Sequence, residues 1–438
     1  MKKLKFFGVL LFIAGMTTFI SCDDDDDDDG GPNQVTISSI IATGTDLQTG
    51  DQNTVDLNEA TAATDVPVDA VIAVTFSRSV DPTTITESNI TLNNGTSNVD
   101  IDLASSGSMV NISPSGEMER GTQHTLTLSG SIQAEDGGNL ASVTRNFTTA
   151  GRKDVVPPQV ENMIAYWKFD GDASDEMGMY DASAEVSVDY AEDRFGQLGS
   201  TAQFDGDESI IEVPNGDALI DTDDFTISFW MKTNSENHVN AEGNPIGHFV
   251  LGLGAFMGIQ FEIFDDYHGA KFAISYELEN GDAESEDMWF PAEATDNTTG
   301  GWQGWTFARS VSPEQMELWL KDNWLHVVYT YDASEKIASL YYDGEIMKTF
   351  DFDLWPDDAP KRTVVGLKYR GAEPDVVNEL AFGFVHSRAG TMWDSEPWGS
   401  YDLPTAKHFK GMLDDVRIFH ATLTDEEVEQ LFSDESPQ

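Results

Sequence analysis

Two groups of side chains in this sequence, and one isolated thiol, have types and spacing that could do chemistry. The first group is acidic. Asp170, Asp172 and Asp175 crowd one short stretch, and Asp414 and Asp415 stand side by side far along the chain. Carboxylates gathered by a loop suit a hard cation, because Ca²⁺ takes roughly six to eight oxygens, backbone carbonyls included. Aspartate also caps turns and strand ends through neighbouring backbone N–H groups, which is the simpler use of the same residues. The second group is aromatic. Trp289, Trp302, Trp305, Trp319, Trp393 and Trp398 make up six of the ten tryptophans and fall within residues 234–322 and 373–407. Indole rings among glycines, amides and acids suit the apolar C–H faces of sugars, with polar neighbours for the hydroxyls. Trp302 and Trp305, in Gly300-Gly301-Trp302-Gln303-Gly304-Trp305, and Trp393 and Trp398, in residues 393–401, are therefore the candidate ligand contacts. The same rings would also serve to staple long loops onto a core.

Catalytic signatures are missing. Hydrolysis of a glycosidic bond with retention needs two carboxyl groups about 5 Å apart. Glu284-Ser285-Glu286-Asp287 and Glu373-Pro374-Asp375 are spaced or flanked wrongly for that pair. There is no Gly-x-Ser-x-Gly elbow, no His-Glu-x-x-His and no phosphate loop. The 8 histidines are scattered; His124, alone on a strand-like segment, reads as a packing or surface residue. A protein that binds without catalysis is the expectation.

Charge and the thiol speak to location. With 24 basic against 78 acidic residues the formal charge is −54, a field that repels nucleic acid and anionic membrane surfaces. Lys2, Lys3 and Lys5 precede an apolar run over residues 6–20. That length suits the core of a signal peptide, since a membrane-spanning helix needs about 20 apolar residues. Cys22 follows directly and is the only cysteine, so no internal disulfide can form. Ser21-Cys22 resembles a bacterial lipobox, with Phe19 where Leu is usual, which implies lipidation of Cys22. Acyl chains contribute roughly 0.8 kcal/mol per buried CH₂, so two or three of them anchor stably. An unbroken aspartate run over residues 23–29 follows and must act as a solvated spacer. It resembles the surface-export signal of Bacteroidetes lipoproteins, which implies an outer-membrane, outward-facing protein.

The elements that must position these groups are strands. Over residues 324–345, Leu325, Val327, Tyr329 and Tyr331 alternate with Trp324, His326, Val328 and Thr330. That period of two predicts a half-buried strand. A polar loop leads to a second strand over residues 337–342. Asp343-Gly344 then predicts a tight hairpin turn, because both turn positions need φ > 0. A third strand through Ile346, Lys348 and Phe350 completes a meander. At the C-terminus Thr424 and Glu427 form a capping box, Leu423 and Val428 occupy staple positions, and Val428, Leu431 and Phe432 make one apolar stripe.

The Trp-x-His-Val-Val-x-Tyr strand and the Tyr-x-Asp-Gly turn resemble the central hairpin of laminin-G-like (concanavalin A-like) jelly rolls. So do Ile164-Ala165-Tyr166-Trp167, residues 194–216, residues 225–232 and Gly411-Met412-Leu413-Asp414-Asp415-Val416-Arg417-Ile418-Phe419. The resemblance covers residues 163–432 and implies a two-sheet sandwich that binds glycans or proteins. It also implies a structural calcium ion, for which Asp170 and Asp414 are the candidates, since the first and last strands tend to be neighbours in such folds. Residues 234–322 and 373–407 exceed a minimal module and read as expansions. Residues 35–150 are rich in Thr, Ser, Val and Asn without helical periodicity. Strands are expected at 71–76, 90–92, 110–113, 125–128 and 143–148. Residues 65–92, 110–128 and 146–150 resemble the S-layer-associated bacterial Ig-like domain, which implies a spacer.

The expectation is an all-β chain in five parts: a lipoprotein signal peptide (1–21), the lipidated Cys22 with an acidic spacer (22–33), an Ig-like sandwich (34–150), a linker (151–160) and a jelly roll (161–434). The expected function is a polysaccharide-binding lipoprotein of the outer membrane, touching the membrane through its lipid alone, with an outer-membrane protein as a further partner. A protein-binding adhesin or envelope component is the alternative, and a cryptic glycoside hydrolase or lyase the second.

Overall fold

The computed structural model describes residues 34–47, 49–291 and 300–437. Cys22, the apolar run and the aspartate tract lie outside the described residues. Residues 35–150 form a sandwich whose five-stranded sheet runs Gln52–Asp56, Ile37–Thr45, Val71–Phe76, Met109–Pro114, Ile101–Ser106. The facing four-stranded sheet runs Ala63–Val66, Val143–Thr149, Gln123–Leu128, Ile90–Asn93. Each expected strand is present within one or two residues of its expected bounds. Period-two alternation does the work: in Val71–Phe76 it turns Ile72, Val74 and Phe76 inward onto Leu92, Leu126 and Phe147. His124 is buried, with Nδ1 2.9 Å from the Thr122 carbonyl oxygen and its ring 5.5 Å from that of Phe147. It is a packing residue.

The segment between the sandwiches is held at both ends. A Cβ on Gly121 would lie 2.7 Å from both the Gly151 carbonyl oxygen and the Lys153 nitrogen. With φ also at +53°, only glycine fits there. A few residues on, Val155 packs against the second sandwich beside Met163, Tyr166 and Leu423.

The second sandwich is built on the predicted meander. Trp324–Asp332 pairs with Phe225–Thr233 on one side and Ile337–Tyr342 on the other, and Glu345–Asp351 follows. The turn residues Asp343 and Gly344 have φ of +48° and +76°, as the hairpin requires. In a sheet of ten strands the path runs from Asp189–Ala191 through Thr201–Asp205, Lys410–Phe419, Phe225–Thr233 and the meander to Thr306–Ala308 and Gly301–Gln303. Met163–Trp167 also pairs with Lys410–Phe419, so first and last strands are neighbours as expected. Eight strands form the facing sheet. Leu325, Val327, Tyr329 and Tyr331 point into the space between the sheets. Tyr329 stacks on Phe272 with ring centroids 4.4 Å apart, and its hydroxyl hydrogen-bonds that of Tyr276. Each such ring or aliphatic side chain contributes about 1.5–3 kcal/mol through burial. One expectation needs correcting. Residues 234–322 are no loop expansion, because His248–Leu253, Ile259–Ile263, Ala270–Leu278 and Ala283–Phe290 supply four strands of the facing sheet.

The outer face of the ten-stranded sheet is capped by the C-terminal helix Asp425–Glu435. Its capping box is formed: Thr424 Oγ1 accepts from the Glu427 N–H, and Glu427 Oε2 accepts from the Thr424 N–H at 2.9 Å. Leu423, Val428 and Leu431 cover Val328, Tyr341 and Phe419. Nearby, Lys410–Phe419 carries a bulge: Trp230 opposes Asp414 and Ser228 opposes Arg417, so Asp415 and Val416 together face Phe229. Asp415 takes φ of +48° to make it. Leu413 and Val416 then both face the core, and Asp414 and Asp415 turn out together where strict alternation would have separated them. Two adjacent buried carboxylates demand cations. Arg194 reaches both, with Nη2 2.5 Å from Asp415, and Arg152 from the inter-sandwich segment lies 2.9 Å from Asp414 and 3.2 Å from Asp415. Arg417 pairs with Asp415 and Glu435.

Arg152→Ala should therefore destabilise the second sandwich by roughly 3–5 kcal/mol, because it strips a partner from a buried charge. Thermal or denaturant melting reads this out. A loss no larger than that of an exposed ion pair, about 1 kcal/mol or less, would show that Arg194 and Arg417 suffice. A second outcome concerns His326, fully buried with Nε2 2.8 Å from Ser228 Oγ and its ring clustered with those of Trp230 and Phe432. Burial, reinforced by the charges of Arg194 and Arg417, pushes its pKa down to about 3. Below about pH 6.5 the unfolded chain binds a proton that the folded one refuses, so stability falls as pH drops from there towards 3. The full effect is on the order of 5 kcal/mol. His326→Gln should flatten this slope, and an unaltered slope in the variant would assign the acid sensitivity elsewhere.

Candidate functional site

The four candidate tryptophans form two pairs in different surroundings. Gly301–Gln303 and Thr306–Ala308 make a short hairpin at the rim of the ten-stranded sheet, turned by Gly304 at φ +66° and Trp305. Thr306–Ala308 pairs with Glu345–Asp351, which leaves Gly301–Gln303 as the terminal strand of that path. Trp302 is 55% exposed and Trp305 37% exposed. Trp305 is braced from behind: its ring lies 5.0 Å from that of Trp355, which stacks on Phe352 at 4.9 Å. The Asp351 N–H also donates to the Trp305 carbonyl oxygen at 2.9 Å. Trp302 opposes Phe307 in the hairpin, with ring centroids 5.9 Å apart. The result is two exposed aromatic rings on a hairpin at a sheet edge, with the exposed Gln303 between them in sequence.

Trp393 and Trp398 are half-buried and 5.5 Å apart. Trp398 packs against Phe249 and Trp393 against Phe256, within a cluster that includes Phe384, Val385 and Ala406. These two rings fasten their loop onto the outer face of the eight-stranded sheet. Trp289 and Trp319 are likewise packing residues, against Phe264 and Tyr342.

The acidic residues assigned to calcium do converge, but around a guanidinium. Arg152 Nη1 lies 2.9 Å from Asp414 Oδ1, and Nη2 lies 3.6 Å from Asp170 Oδ2. The second oxygen of Asp414 is taken by Arg194. Burial raises the Asp415 pKa, yet Arg152, Arg194 and Arg417 outweigh it and hold this carboxyl well below the usual carboxylate range. Tyr166 adds a hydrogen bond at 2.5 Å. This donor set does not fit a calcium ion between Asp170 and Asp414, because arginine already supplies the positive charge and uses the lone pairs. Asp175 caps instead, accepting four backbone N–H groups, from Tyr166, Met177, Met179 and Tyr180. Among the described residues no three His, Cys, Asp or Glu side chains are grouped to hold a metal.

Three of the remaining acidic candidates are tied to neighbours. Glu286 pairs with Lys361, and Asp287 lies 3.7 Å from Lys271. Asp375 accepts from the Thr391 hydroxyl at 3.3 Å. Sequence reasoning missed Glu212, which is buried beside Arg388 at 2.7 Å and accepts from the Ser387 hydroxyl at 2.9 Å. Burial raises its pKa, but the Arg388 bonds win and lower it. It missed the three arginines and Glu435 of the outer-face network as well. For Arg417 the signal was present, since it sits between inward-facing Val416 and Ile418 and must emerge on the opposite face.

A family model described as a bacterial Ig-like domain matches residues 51–149. No curated protein matches the chain. Among solved structures the chain is similar to the receptor-binding domain of botulinum neurotoxin type G, at 14% identity over 62% of this chain and 51% of that one, with a TM-score of 0.35. The binding domain of Paraclostridial mosquitocidal protein 1 aligns at 16% identity over 62% and 52%, TM-score 0.38. The ligand-binding domain of botulinum neurotoxin serotype D, solved in complex with N-acetylneuraminic acid, aligns at 11% identity over 62% and 51%, TM-score 0.37. The chain spans about half the length of each of these domains. The first sandwich of this all-β chain is thus a bacterial Ig-like domain.

Proposed function

We propose that the protein is a lipid-anchored binder of polysaccharide on the outer membrane, with the second sandwich holding the glycan and the Ig-like domain acting as spacer. One observation carries this reading: the exposed, braced pair Trp302 and Trp305 on a rim hairpin. An exposed indole offers apolar surface that a ligand gains by covering. A sugar ring offers a flat C–H face for that purpose, and Gln303 offers donor and acceptor to its hydroxyls. The anchor rests on Cys22 after its apolar run and before an acidic spacer. No helix among the described residues is long and apolar enough to cross a membrane.

Stacking one sugar on one ring is worth on the order of 1–2 kcal/mol. Trp302→Ala and Trp305→Ala should each weaken glycan binding about tenfold with the melting temperature nearly unchanged. Trp393→Ala and Trp398→Ala should behave oppositely, lowering stability while leaving affinity alone. A glycan array followed by calorimetric titration separates the two patterns, and unchanged affinity in both rim variants would remove the platform. Cys22→Ala should release the protein from the membrane fraction. A variant still needing detergent for extraction would refute the lipid anchor.

A further inference from the structure

The C-terminal helix covers only part of the outer face of the ten-stranded sheet. It closes over Trp230 and His326, and Glu435 near its end accepts the Trp230 indole N–H at 2.8 Å. Two residues further along the strands a row of outward side chains lies beyond it. Gln203 opposes Met412, Met412 opposes Lys232, and Lys232 opposes half-buried Trp324. Four adjacent strands at about 4.8 Å spacing make this a track of about 14 Å. At its side opens a cavity of about 320 Å³, floored by Gln203, Met412 and Lys232 and walled by Asn234, Glu236 and Asp322.

The wall is preformed. Asp322 has φ of +59°, its N–H donates to Thr233 Oγ1 at 3.0 Å, and its carboxylate accepts from Ser235 N–H at 2.7 Å and Ser235 Oγ at 2.6 Å. Asn234 Oδ1 accepts the Glu236 N–H at 3.0 Å. The floor, in contrast, has unused groups. Among the described residues the Lys232 ammonium takes part in no ion pair or hydrogen bond, and neither does the Gln203 side-chain amide. An ammonium left without a carboxylate is informative in a chain of 78 acidic and 24 basic residues.

We propose that this cavity is a second binding site, for a sugar unit that carries a carboxylate, such as a uronic acid. Lys232 meets the carboxylate, the Gln203 and Asn234 amides and the rim carboxylates meet hydroxyls, and Met412 lies under the ring. The net charge of the chain repels an anion at a distance. Salt confines that repulsion to roughly 8 Å, whereas Lys232 acts in direct contact. The site takes its ligand class from the glycan reading, and the test keeps the two apart.

Calorimetric titration of the full chain with tetragalacturonate and with neutral cellotetraose is the experiment. Lys232→Gln should weaken tetragalacturonate about tenfold, with Gln203→Ala weakening it in the same direction, and neither should affect cellotetraose. Trp302→Ala should leave the Lys232-dependent part in place. Equal tetragalacturonate affinity in wild type and Lys232→Gln overturns the site, whatever the rim tryptophans do. If neither oligosaccharide binds wild type, the glycan reading of the rim falls. Galacturonate alone, followed by ligand-observed NMR, then decides the cavity: a signal lost in Lys232→Gln supports it, and no signal in wild type overturns it.

Discussion

The outer face of the ten-stranded sheet depends on one electrostatic constraint, the charge balance around Asp414 and Asp415. A bulge forces two successive carboxylates to the same side of a strand, where both are buried. Desolvating two such charges costs several kcal/mol each unless cations with good geometry replace the lost water. The chain meets this with arginines drawn from three places: the segment before the sandwich, a loop and the last strand itself. Arginine suits the task, because its rigid fork spans two carboxylates and its charge persists on burial. The C-terminal helix is fastened by the same network through Glu435. First strand, last strand and final helix thus share one set of charges.

Those charges also change the meaning of residues 151–160. By composition they are a solvated linker, with Pro157-Pro158 and few apolar residues. In the structure Arg152 and Val155 are parts of the second sandwich, while Gly151 packs closely on Gly121 of the first. The clamp fixes the orientation of the second sandwich on the first, so less conformational freedom is left to lose when either sandwich binds a partner.

Much of this was legible in the sequence, for reasons that differ by element. The meander was, because Leu325, Val327, Tyr329 and Tyr331 repeat with period two and Asp343-Gly344 allows one kind of turn. The C-terminal helix was, because its cap and stripe are local signals. The strands of residues 248–290 were not, because runs such as Phe249-Val250-Leu251 are apolar on both faces and lose the alternation that identifies a strand. The arginine network was hidden for another reason. Arg152, Arg194 and Arg417 are far apart in the chain and become neighbours only through sheet pairing and a bulge that no local pattern announces. Asp170 and Asp414 were placed together correctly, yet the cation between them was the chain's own. Among the tryptophans, composition could not separate Trp302 and Trp305, which a rim exposes, from Trp393 and Trp398, which a loop covers.

Coverage decides where a sandwich of this kind can bind. The face between the sheets is filled by aromatic and aliphatic side chains. The outer face of the eight-stranded sheet is covered around Ile210, Phe249 and Ala381 by the loop that carries Trp393, Trp398 and Tyr401. The outer face of the ten-stranded sheet is closed at one end by the C-terminal helix. The rim with Trp302 and Trp305 and the row from Gln203 to Trp324 stay open. Both belong to the same sheet, and both rest on residues held by packing or backbone hydrogen bonds, so neither has to be ordered when a ligand arrives. A ligand long enough to touch both would convert two weak contacts into one stronger attachment, the second held at the effective concentration set by the first. On the proposed glycan reading, single sugar contacts are worth little and repetition along the polymer supplies affinity.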